Sequence, residues 1–332
     1  MDKRSKLSLL ELLVSKTHLS WYVATVVFAL LLILGLLLTA FAEETPINEL
    51  GWNYWRTGLQ GPAIIIYILI IFPILNRMGD NAIESIIPSL DMNKKELDEL
   101  QAKYYTPSRL GEWISLSVGA VFILILSQPW KGSFEFTFLF LFITEIMMFS
   151  LLALLIYYGF INSRYIAKVN KNLKLDIFNV DALAPIARWS LSVSLAFIGG
   201  IMISIVFQTV ENLMQWQIIV IYVILVISTV AIFFISLWST HMAIVNVKRR
   251  ELAVVETRLA EACRKLTQKA SENINESVLH LEVAAWGLYE RRIRETREWP
   301  YNAGIIGRLL LSILSPGIVY LIKLLTGIPL DF

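Results

Sequence analysis

Cysteine, histidine and charge are all scarce in this chain. One cysteine and three histidines occur in 332 residues, and only 17% of the residues are charged. The single thiol, Cys263, can form no internal disulfide and no cysteine-cluster metal site. His18, His241 and His280 are far apart in sequence, so they offer no metal-ligand spacing. There is no Walker A loop, no HExxH helix and no GxSxG elbow. No His or Asp lies within the six main apolar runs described below, and no two carboxylates pair there. ATP-driven pumping and intramembrane proteolysis therefore lack their residues, and neither an enzyme activity nor a cofactor or metal is expected. A soluble domain typically carries about 25% charge, which this composition does not approach.

What the chain has instead is apolar surface. Hydrophobic residues make up 56%, the mean hydropathy is +0.63, and the apolar residues come in long runs rather than in alternation. Long runs predict membrane-spanning helices and argue against a membrane barrel. Six runs qualify, at about 21–42, 54–75, 111–129, 137–161, 187–208 and 216–238. The first is too long for a signal-peptide core and lacks a cleavage site. The second is the weakest: its uninterrupted part, Pro62 to Leu75, spans about 21 Å as a helix against a hydrocarbon core of about 30 Å. It crosses only by including residues 54–61, with Trp52, Tyr54 and Trp55 in the interfacial belt and Arg56 snorkelling outward.

Charge placement gives the orientation. With the N-terminus in the cytoplasm, 27 of the 29 lysines and arginines fall on the inner side, and only Arg56 and Lys131 fall outside. Glu43, Glu44, Glu49, Glu135 and Glu211 join those two, so the outer face is acidic. The stretch 303–325 is long enough to cross but holds Arg308, Lys323 and a break at Ser315, Pro316 and Gly317. It is either a kinked seventh span or a re-entrant segment.

The expected architecture is all-α and polytopic. Residues 1–18 form a cytoplasmic or interfacial N-terminus, 19–238 a six-helix bundle, 239–298 a cytoplasmic helical hairpin, and 299–332 the final hydrophobic helix. In the loop 76–110, Leu97, Leu100 and Tyr104 have helical spacing after Asp91. In the hairpin, one stripe runs through Leu252, Val255, Leu259, Ala262 and Leu266, and a second through Ile274, Val278, Leu281, Ala285 and Leu288. Each is too short to stand alone as a coiled coil and needs a partner, either the other stripe or a neighbouring subunit. Lys248, Arg249 and Arg250 alternate with Glu251 and Glu256, which reads as a solvated face and not as a nucleic-acid site. Arg291, Arg292, Arg294 and Arg297 stand where they enforce topology or touch anionic headgroups.

Glu145 is the leading candidate for chemistry. It lies about eight positions into the fourth span, where an isolated charge costs about 2.5 to 3.5 kcal/mol to insert. It is either an ion or proton site, with Thr144 as a nearby oxygen donor, or a protonated acid bonded to a neighbouring helix. Arg308 and Lys323 flank Pro316 in the final helix, where they line a cavity or snorkel. Ser192, Ala196, Gly200 and Ser204 recur every fourth residue in the fifth span, a small-residue stripe that suits helix packing; Gly199 beside it could serve as a hinge. A faint echo links Pro107, Arg109 and Trp113 at the third span with Pro185, Arg188 and Trp189 at the fifth, the pattern of a parallel transporter repeat.

Trp299, Pro300 and Tyr301, followed by Arg308 and Pro316 and preceded by His241, Lys248 and Glu251, together with Pro185 and Arg188, resemble a group of uncharacterised bacterial multi-span membrane proteins. The resemblance covers roughly the C-terminal half and implies a prokaryotic inner-membrane location. In architecture alone the chain also looks like insect chemoreceptor channels. The expected function is a homo-oligomeric, channel-like ion pathway. The alternatives are a non-conducting scaffold or sensor whose hairpin recruits a cytoplasmic protein, and a secondary transporter.

Overall fold

A computed structural model describes residues 8–46, 50–87, 90, 95–96, 99, 108–131, 135–169, 177–269, 276–299 and 303–326. Six of its helices are long and apolar enough to cross a membrane, and no strand occurs among the described residues. The chain is an all-α, multi-pass membrane protein set in a lipid bilayer.

A short helix α1 (Leu9–Lys16) precedes the spans and is held by a capping box: Ser8 Oγ accepts from the Glu11 amide at 3.1 Å, and the Ser8 amide donates to Glu11 Oε2 at 2.8 Å. The spans follow as α2 (Trp21–Ala42), α3 (Trp52–Ile86), α4 (Arg109–Ser127), α5 (Phe136–Val169), α6 (Ala184–Phe207) and α7 (Trp216–Lys269). Two further helices are α8 (Glu276–Glu295) and α9 (Ala303–Thr326). The end of the bundle that meets α1, α8 and the long extension of α7 is rich in lysine and arginine and is called the basic end; the opposite end is the acidic end.

Two spans outrun their apolar runs. α3 continues 11 residues past Leu75 and α5 continues eight past Ile161. The extensions pack on each other: Ala82, Ile83 and Ile86 of α3 join Tyr165, Ile166 and Val169 of α5, with Leu183, Ile186 and Trp189 of the α6 entrance, in one buried cluster at the basic end. Tertiary burial carries both helices past the point where hydropathy alone would end them. α3 also stays helical through Pro62 and Pro73. The seam between α4 and α5 is the closest backbone approach at any of the described glycines: a Cβ on Gly119 would collide with the Phe149 carbonyl oxygen. α6 is central, packing on α3, α7 and α9.

α9 runs alongside α6 in the same direction. Ile313 meets the Ala187, Leu191, Phe233 and Leu237 cluster near the basic end, while Val319 and Tyr320 meet Ile201, Ile205, Leu213 and Leu225 towards the acidic end. Pro316 is buried inside α9 and lacks the amide that would serve the Ser312 carbonyl. Ser315 Oγ donates to that carbonyl at 2.7 Å, so the break read from the sequence is spanned by a continuous helix.

Candidate functional site

Thr144 and Glu145 are neighbours in α5 but face apart. Thr144 is buried, lies 3.0 Å from where a Cβ on Gly61 of α3 would stand, and donates its hydroxyl back to the Phe140 and Leu141 carbonyls at 3.0 and 2.9 Å. Glu145 is turned by about 100° around the helix. It is half-buried, and its carboxylate makes no hydrogen bond or ion pair among the described residues.

The small-residue stripe of α6 accepts a side chain rather than another backbone. Tyr67 of α3 donates to the Ala196 carbonyl at 2.8 Å and lies against Gly199 and Gly200. Ser204 pairs with Tyr222 of α7 at 3.0 Å and accepts from Gln60 of α3 at 3.4 Å, while Gln208 donates to Gln60 Oε1 at 3.1 Å. Ser192 points away, its hydroxyl returned to the Arg188 carbonyl at 2.9 Å. Between α3, α5, α6 and α7 lies a cavity of about 50 Å³, lined by Tyr67, Met148, Leu152, Gly200, Ser204 and Tyr222. That is room for a few waters, since one water needs about 10–15 Å³ of accessible space. Gln60 and Gln208 carry no sequence signal beyond being amides at the ends of apolar runs.

Arg308 is exposed near the start of α9. Lys323 is in the same helix, about 22 Å further on, and its side chain lies outside the described residues. The two paired entrances of the echo have opposite surroundings: Trp113 is 60% exposed, while Trp189 is fully buried with its indole edge against Gly79.

Glu112, which sequence reasoning passed over, is a buried carboxylate that accepts three hydrogen bonds. It has no exposed surface, although it sits in the first turn of α4. Oε1 accepts the Leu9 amide at the start of α1 at 2.9 Å and also the Tyr158 hydroxyl of α5; Oε2 accepts Arg109 Nη1 at 2.9 Å. One carboxylate thus ties α1, α4 and α5 together. Two of its three donors come from residues 9 and 158, which no spacing rule links to position 112.

The hairpin is anchored at its base. Lys248 is buried in α7, and its Nζ donates to the Arg294 and Thr296 carbonyls and to Glu298 Oε1 at 2.9, 3.0 and 3.1 Å, capping the end of α8. His241 Nδ1 donates to the Glu298 carbonyl at 2.8 Å, and its ring stacks on Trp299 at 3.9 Å. Ile177 and Phe178 wedge in beside Val255, Ile293 and Tyr289, with Arg292 over the Phe178 ring at 4.6 Å. Hydrogen bonds from Arg291 to Glu295 and from Arg294 to Glu290 raise the pKa of both guanidinium groups.

Sequence spacing identifies the inward face of α7 but not that of α8. Val255 and Ala262 are buried and Leu252, Leu259 and Leu266 half-buried, on the side that packs on α8. On α8 the covered side is instead Leu279, Val283, Trp286 and Ile293. The stripe chosen from sequence faces away from α7: Val278, Leu281 and Leu288 are 62%, 73% and 69% exposed, and Ala285 is exposed with them. Ile274, like Leu97, Leu100 and Tyr104 of the earlier loop, lies outside the described residues. α8 is therefore apolar on two sides, and its own chain covers one. On the far side of α7, Ala253, Thr257 and Ala260 form an exposed small-residue face, about 160° from the stripe that meets α8.

No protein-family model, curated protein or solved structure matches this chain.

Proposed function

We propose that the protein is a homo-oligomeric membrane assembly whose subunits stack through their hairpins and whose ion pathway, if a current is carried, lies between subunits. The observation that supports this is the hairpin's pair of opposed faces. Large apolar side chains project from α8 on one side, and a small-residue face lies on α7 on the other. Knobs on one copy and holes on the next make a head-to-tail contact, which closes into a ring when the rotation allows. Pairing two α8 helices in one membrane is less favourable. The helices would run parallel, which sets Arg291 and Arg292 against their own copies. The bilayer surface is a poor occupant too, because the exposed stripe begins at Leu288, farther from the bundle than Ile293, which meets Val255 about 26 Å of helix beyond Trp238.

The bundle interior favours a route between copies over a route through one subunit, since its cavity is small and mostly apolar. Glu145, half-buried and unpartnered within the described chain, is the group such a route would meet. The placement of α9 beside α6 supports a seventh crossing, and the lysine distribution supports a cytoplasmic basic end. A prokaryotic inner-membrane setting rests on the resemblance of the C-terminal half.

The test is to introduce Leu281→Cys and Thr257→Cys together in a Cys263→Ser background and oxidise the protein in vesicles. Ladders of cross-linked chains are expected, and Leu281→Glu with Leu288→Glu should abolish the oligomer in mass measurements on nanodiscs. A monomeric wild type whose α8 stripe is protected only by a different protein would move the reading to a scaffold. Planar-bilayer recordings then decide whether the assembly conducts.

A further inference from the structure

Helices α2 and α4 both pack on α5 but leave an apolar groove between them. It holds about 570 Å³ and is floored by Met147, Ser150, Leu151 and Leu154 of α5, with Trp21 and Phe28 of α2 along one wall. From Leu154 to Ile146 it extends about 12 Å along α5. α1 lies across it at the basic end, contributing Leu9, Leu10 and Val14. The strap is latched at its first residue, where the Leu9 amide donates to the fully buried Glu112.

We propose that this groove is a binding site for one acyl chain of a bilayer phospholipid, and that α1, latched by Glu112, is the strap that retains it. Four observations select that occupant. The groove opens between two faces that already look into lipid, with Val23, Val26 and Val27 of α2 and Ile114, Val118 and Val121 of α4 all exposed. The groove is about 12 Å long and closed by α1 at its basic end, against the roughly 30 Å of a membrane span, so it does not seat another span along its length, while a narrow hydrocarbon chain fits. The turn that ends α1 beside Thr17 of the lining carries exposed Lys16, a cation at the mouth suited to a phosphate headgroup. The hydroxyls of the lining are those of Thr17, Thr25 and Ser150, and the two threonines return theirs to the Val14 and Trp21 carbonyls at 2.7 and 2.9 Å, which leaves a largely apolar surface that fits an acyl chain and not a polar solute.

The full chain is reconstituted in phosphatidylcholine–phosphatidylglycerol vesicles doped with a mid-chain diazirine phosphatidylcholine. It is then extracted in lipid-free detergent, washed so that loosely held lipid exchanges away, and irradiated. Adducts are expected on peptides carrying Val14, Met147 and Ser150. Ala24→Trp places an indole in the groove and should lower adduct yield about tenfold, a loss of roughly 1.4 kcal/mol in retention, while Val26→Trp on the outward face of α2 should not. Leu9→Pro deletes the latching amide at a helix position where proline is tolerated, after a Ser8 whose extended backbone suits it. It should speed loss of the retained lipid several-fold while α1 stays helical. Equal adduct yields in Ala24→Trp and wild type, or adducts confined to Val118 and Val121, would overturn the site. Lipid retention unchanged by Leu9→Pro would overturn the strap.

Discussion

Two glutamates, Glu112 and Glu145, fall within the six apolar runs of this protein, and they have opposite surroundings. Glu112 is sealed, with an amide, a phenol and a guanidinium aimed at its two oxygens. Glu145 lies deeper in its apolar run, yet it is half-buried and has no partner among the described residues. Depth along a span and burial within a bundle are therefore separate quantities. A carboxylate whose donors come from three segments is committed to holding those segments together. One with none is free to meet solvent, an ion or another subunit.

That contrast is tested hardest by removing the committed carboxylate. Glu112→Ala takes the acceptor from the Leu9 amide and the Tyr158 hydroxyl at once and removes an ion-pair partner of Arg109, and should cost about 3–5 kcal/mol of stability in reversible detergent unfolding. A loss no greater than that of an average lipid-facing substitution would erase the distinction between the two glutamates.

The seam that brings Glu112 to Tyr158 is the next target. Gly119→Leu drives a side chain into the Phe149 carbonyl and the Ser150 backbone, so α4 must move off α5. The expected cost is about 1–3 kcal/mol, with faster hydrogen exchange at the start of α1 as Glu112 loses its register. A milder probe is Tyr158→Phe, which leaves Glu112 two of its three donors and should cost about 1–2 kcal/mol. If Tyr158→Phe matched Glu112→Ala, the phenol rather than the carboxylate would be the centre of the cluster.

The sequence makes the spans legible because a long apolar run has few ways to be satisfied other than crossing lipid, and the lysines and arginines alternate with those runs. The continuation of α3 to Ile86 and of α5 to Val169 was not legible, since it depends on Ile83 meeting Tyr165 and Ile166 across two helices. The hairpin shows the same limit more sharply. Both Val278, Leu281, Ala285, Leu288 and Leu279, Val283, Trp286, Ile293 are valid helical stripes, and only the packing against α7 decides which one is covered. Glu112 was hidden because an acid in the first turn of a helix is ordinarily a dipole-favoured surface residue. Glu145 stood out because hydropathy registers depth and is blind to partners.

The smallest expected effect on stability belongs to Glu145→Gln. With no hydrogen bond or ion pair among the described residues to lose, the amide should leave unfolding within about 0.5 kcal/mol of wild type, the range of substitutions that touch no special feature. If copies of the chain enclose an ion pathway that passes this residue, the same substitution should change unitary conductance or cation selectivity, because it removes a fixed charge from a low-dielectric wall. The pair of measurements separates the roles the two glutamates play: Glu112 variants should fail in folding before any current can be read, and Glu145→Gln should fold as wild type and differ only in the current. A Glu145→Gln protein that unfolds as readily as Glu112→Ala would mean that a neighbouring subunit supplies the partner this chain does not, which makes the residue a buried contact of the oligomer and removes it from the pathway.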